Sequence, residues 1–151
     1  MPDIGSFHPQ LVHFVVVLGL VGVVFRLISL TGRLPWTRPA ATTLLVGAAL
    51  VSVAAAQSGS DAHEKAESIP GVREAVQKHE SLGQDTRNLL LVVGVLELVA
   101  LGLKKREKIH AGLLIASGVA GVVAAYFLYE AAEHGGRFGV RRVADAIRQL
   151  K

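Results

Sequence analysis

Apolar residues along this chain gather into four blocks separated by polar or turn-forming stretches. Each block approaches or reaches the roughly 20 residues that a helix needs to cross a hydrocarbon core of ~30 Å. The pattern therefore predicts an all-α protein, a bundle of four transmembrane helices with crossings at 9–30, 40–57, 89–103 and 109–130. Pro9 suits the first turn of helix one, where its missing N–H costs nothing. Thr31-Gly32 marks that helix's end, and Trp36 in the following loop is an interfacial aromatic. Between helices two and three lies a polar section, Ser58–Asn88. Its first part, Ser60 to Glu67, continues helix two beyond the bilayer, and Ile69-Pro70-Gly71 makes a turn. From there Val72, Val76, His79, Gly83, Thr86, Leu90 and Val93 recur at alternating steps of three and four, the stripe of one continuous helix three. Gly135-Gly136 is a helix stop, and Val140–Lys151 a short basic amphipathic helix on the membrane surface. The chain so divides into a transmembrane domain, 1–139, and a basic tail, 140–151.

Composition agrees with a membrane protein: 51% of the 151 residues are hydrophobic and the mean hydropathy is +0.45. The first apolar run has neither the basic start nor the small-residue cleavage site of a signal peptide. A net charge of +4 raises the question of nucleic acid, but the basic residues flank the apolar runs. They read as charges that orient a protein in lipid. Both termini and the polar section share one side, the mouth. The two short loops opposite hold Arg33, Arg38, Lys104, Lys105, Arg106 and Lys108 against a single acid, Glu107. The positive-inside rule puts those loops in the cytoplasm of a bacterial inner membrane and the mouth outside; the basic tail pulls the other way.

Of the six histidines, His8, His13, His63, His79 and His134 fall on the mouth side, from four different helices, and only His110 lies opposite. Imidazoles and carboxylates converging at a bundle end are the raw material of a metal or haem site. The absence of cysteine excludes thiolate zinc, iron–sulfur clusters and covalently attached haem, but not haem b. Among the five, His13 lies within an apolar run and must find a partner. It is the first axial ligand to consider, with His134, His79, His63 and His8 as candidates for the second. A transition metal on His8, His13, His63, Asp61 and Glu80 is the alternative. Hydrolysis has little support, since His63-Glu64 and His79-Glu80 lack the second histidine of HExxH. Glu97 and Arg26 stand at similar depths in helices three and one. They are expected to form an interhelical ion pair that fixes register.

The opening His8-Pro9-x-Leu11-Val12-His13-Phe14, the four-crossing plan and the His134-Gly135-Gly136 close resemble a bacterial membrane family, domain of unknown function 2231. Ser58-Gly59, Pro70-Gly71 and His79-Glu80 are similar to its middle landmarks, while the Tyr-x-His-Gly that follows the close in that family is missing here. Some relatives are fused to c-type haem domains, and the resemblance thereby implies redox work in the membrane. The expected function is an electron carrier with haem b at its outer face, working with a redox partner or larger complex and open to oligomer formation. A non-catalytic subunit docked beside such a complex is the alternative expectation. Membrane lipid is the expected surrounding in either case.

Overall fold

The computed structural model describes the backbone of residues 7–66 and 73–149 and the side chains of residues 7–59 and 77–133. It is all-helical there: α1 is His8–Leu30, α2 Thr37–Ala66, α3 Arg73–Gly102 and α4 Glu107–Gln149. Each helix packs on the next and α4 closes on α1. The four form a ring in which α1 and α3 lie on one diagonal and point the same way. Both short loops, 31–36 and 103–106, are at one end, and His8 opens α1 at the mouth.

A seven-residue rhythm explains why these helices associate. On α1 the inward positions are His8, Val12, Val15, Gly19, Gly22, Arg26 and Ser29, buried from Val15 onward. On α3 they are His79, Gly83, Thr86, Leu90, Val93, Glu97 and Ala100, buried from Thr86 onward. Such alternation of three and four keeps one seam facing the partners along the whole helix. The seam is rich in small residues, because helices in lipid gain contact by close approach rather than by escaping water. A Cβ on Gly94 would lie 2.8 Å from the Cβ of Ala49, so α2 and α3 can sit this close only with glycine there.

The termini follow local chemistry. The Thr31 hydroxyl donates to the Ile28 carbonyl at 2.7 Å, and Gly32 takes φ 69°, a left-handed conformation that glycine adopts without strain. Helix α2 begins at Thr37 rather than Ala40, its hydroxyl donating to the Leu34 carbonyl at 2.6 Å; Pro39 is tolerated in that first turn. Trp36 packs edge-on against Phe25, ring centroids 5.3 Å apart, and so ties the loop to α1.

One expectation needs correction. Helix α4 runs unbroken through Gly135-Gly136 to Gln149, so no separate tail helix begins at Val140. A glycine pair weakens a helix by about 1 kcal/mol per residue and commonly ends one by turning left-handed, but here the backbone stays helical through both glycines. The four helices differ in the length of their apolar spans. Helices α1, α2 and α4 are long and apolar enough to cross a membrane. In α3 the apolar stretch runs only from Leu89 to Gly102, about 21 Å, and carries Glu97. Helix α3 takes its place in the bundle through packing against α2 and α4. The expected turn at Ile69-Pro70-Gly71 lies outside the described residues.

The apolar seam is interrupted by one polar layer near the loop end. Arg26 and Glu97 are 0% and 1% exposed. Arg26 Nε donates to Glu97 Oε1 at 2.8 Å, and an Arg26 Nη donates to Oε2, giving the two-pronged geometry that guanidinium and carboxylate favour. Thr42 on α2 accepts from Arg26 at 3.0 Å and donates to Glu97 at 2.7 Å. Ser117 on α4 also donates to Glu97, and Ser29 accepts from Arg26 at 3.0 Å. The pair spans the α1–α3 diagonal, and the other two helices supply the hydroxyls around it.

Removing one charge strands the other in a dry interior, which costs about 3–5 kcal/mol. Arg26→Met or Glu97→Leu alone should therefore lower thermal stability in detergent sharply, and the double variant should lose much less than the sum. Additive losses would contradict the coupling.

Candidate functional site

At the mouth end residues of all four helices line a half-open cleft. Its volume is about 110 Å³, close to the ~150 Å³ in which an engineered apolar cavity holds benzene. Its floor is apolar: Val12, Val15 and Val16 of α1, Ala55 of α2 and Leu128 of α4. Its polar groups are His8, Ser52, His79, Glu80, Gln84, Thr86 and Arg87. Several of these are already engaged. Ser52 donates to the Ala49 carbonyl at 2.7 Å and Thr86 to the Leu82 carbonyl at 2.7 Å. Arg87 bonds the Asn88 side chain, and Gln84 donates to Glu80 at 3.3 Å. The two imidazoles are the distinctive chemistry of the cleft.

His8 is held against α2 through Nδ1. Its Nδ1 lies 3.1 Å from both the Ala55 carbonyl and the Ser58 hydroxyl. The Ser58 proton already goes to the same carbonyl, at 2.9 Å. Both groups then act as acceptors toward His8, so Nδ1 carries a ring proton. A backbone carbonyl on one ring nitrogen is how proteins orient a ligating histidine and raise its basicity. Gly59 makes room for the ring: a Cβ there would come within 3.0 Å of His8 Cε1.

His79 faces the same cleft from α3, its Nδ1 sealed from solvent. The reason is one of register. Arg26 stands eighteen residues after His8, and Glu97 eighteen after His79. Eighteen residues make five helical turns and about 27 Å. Since α1 and α3 run the same way, joining Arg26 to Glu97 at one end sets His8 and His79 at matching depth and facing inward at the other.

The remaining candidates are placed differently. His13 is exposed on the outward face of α1, its Nδ1 donating to the Pro9 carbonyl at 2.6 Å. Five residues are one turn plus about 140°, so His8 and His13 cannot look the same way. The partner that His13 needs within its apolar run is this carbonyl, four residues back. Glu80 lines the cleft. The side chains of Asp61, His63 and His134 lie outside the described residues. Among the described residues no three of His, Asp and Glu converge as a metal-ligand set.

Residues 5–145 match the model of a family described as a predicted membrane protein, DUF2231. The chain belongs to this family. No curated protein and no solved structure matches it. Membership in DUF2231 agrees with the three helices that are long and apolar enough to cross a membrane.

If the His8 ring packs on Gly59, Gly59→Ala should cost about 1–3 kcal/mol by overpacking in the native chain and little in a His8→Ala background. Thermal melts of the four proteins test this, and an equal cost in both backgrounds would contradict the contact.

Proposed function

We propose that the mouth cleft holds a redox cofactor between His8 and His79 and that the protein carries electrons at one face of the membrane. The observation behind this reading is the convergence of two imidazoles, from two helices locked in register, on an apolar floor. Haem b is the cofactor first in line. Two neutral histidines across an apolar gap are its usual ligands, and haem supplies a one-electron iron couple near a membrane surface. His8 and His79 would hold the iron, and Val12, Val15 and Leu128 would keep water from the ring. By the charge of the opposite loops the mouth faces outward from a bacterial inner membrane.

The cleft's volume favours a second reading. About 110 Å³ suits a single ring, such as the headgroup of a quinone, with the imidazoles as hydrogen-bond partners. The transition-metal alternative would need Asp61 or His63 to complete a ligand set.

An absorbance spectrum of protein purified from haem-replete cells, before and after dithionite, tests the first reading; metal and organic-extract analysis tests the others. The account expects a Soret band that sharpens on reduction, is lost in His8→Ala and His79→Ala, and persists in His13→Ala. A flat spectrum with bound quinone supports the second reading, and one with stoichiometric metal the third. If none is bound, a docking subunit beside a larger complex becomes the better account.

A further inference from the structure

We propose that the groove at the loop end of the α1–α4 seam is a binding site for one anionic phospholipid. This groove is well separated from the mouth cleft, at the other end of the same helices. It measures about 750 Å³, within the range of ligand sites. Arg38 of α2 and Lys104 of the 103–106 loop line it at the polar end, both exposed. Glu107 is the one acid among the lining residues, so the rim keeps a positive balance. His110, also lining the groove, is anchored by a 2.8 Å bond from Nδ1 to the Ala100 carbonyl.

Below this rim the walls are apolar. Leu30 and Ile115 are 40% and 55% exposed, while Leu114 is buried behind them. The site therefore presents basic groups above a strip of exposed aliphatic surface, at the level where apolar spans give way to charged loops. That sequence matches a phospholipid: a phosphodiester beside Arg38 and Lys104, and an acyl chain along Leu30 and Ile115. Basic pockets between membrane helices hold acidic headgroups in this way. A free phosphate ion would use the rim alone, and a zwitterionic lipid would gain little from it.

Native mass spectrometry and thermal melts of the detergent-purified, delipidated chain test the assignment, with dioleoyl-phosphatidylglycerol, dioleoyl-phosphatidylcholine and inorganic phosphate as probes. One phosphatidylglycerol per chain should bind, roughly 30-fold more tightly than phosphatidylcholine for two basic contacts, and raise the melting temperature. Phosphate should do neither. Arg38→Gln with Lys104→Gln should abolish the preference. Lys105→Gln with Lys108→Gln, which removes equal charge outside the groove, should retain it. Equal binding of the two lipids would overturn the proposal. So would a preference that survives the Arg38/Lys104 change, one lost equally in the Lys105/Lys108 control, or phosphate acting as strongly as the lipid.

Discussion

An arginine and a carboxylate joined in the dry centre of a helix bundle constrain everything around them. Neither charge can remain there alone, and the pair survives only if hydrogen bonds satisfy its other edges. Thr42, Ser117 and Ser29 do this here. Sliding any one helix by a turn would pull a hydroxyl or a charge out of the layer. Apolar packing alone cannot set register so firmly, because a stripe of small residues packs nearly as well one heptad along. The polar layer selects one alignment, and the close contact of Gly94 with Ala49 then becomes possible.

That alignment is carried to the far end of the molecule. Because His8 and His79 each precede their charged residue by eighteen positions, the layer that joins Arg26 to Glu97 also brings the two histidines level. The cleft is thus a consequence of the ion pair as well as of its own residues. Below it the core of Val15, Ala48, Ala55, Leu90, Ala124 and Leu128 fills the bundle. The α1–α4 seam at the loop end is left as a groove. The two candidate sites thus sit at opposite ends of the bundle.

Much of this was legible in the sequence. Apolar blocks of the right length announce helices, and an arginine and a glutamate at equal depth in two such blocks point to each other. Other features were harder to read. His13 stands out because of its apolar surroundings, yet surroundings say nothing of phase. The five-residue step from His8 turns it outward, and the eighteen-residue spacing was the signal that singles out His8 and His79. Thr42 and Ser117 look like ordinary small residues of a membrane helix, whose hydroxyls usually bond their own backbone. Only the position of the Arg26–Glu97 pair gives them partners on other helices. The glycine pair in α4 read as a stop because glycine often ends helices, but that habit depends on the conformation the surrounding chain imposes.

The most direct test is a solid-state NMR measurement of dipolar coupling in lipid bilayers, between ¹⁵N in the Arg26 guanidinium and ¹³C in the Glu97 carboxylate. The account predicts the strong coupling of a hydrogen-bonded pair in the native chain. Absence of measurable coupling would mean that α1 and α3 are not joined across the bundle. The register that brings His8 opposite His79 would then have no foundation.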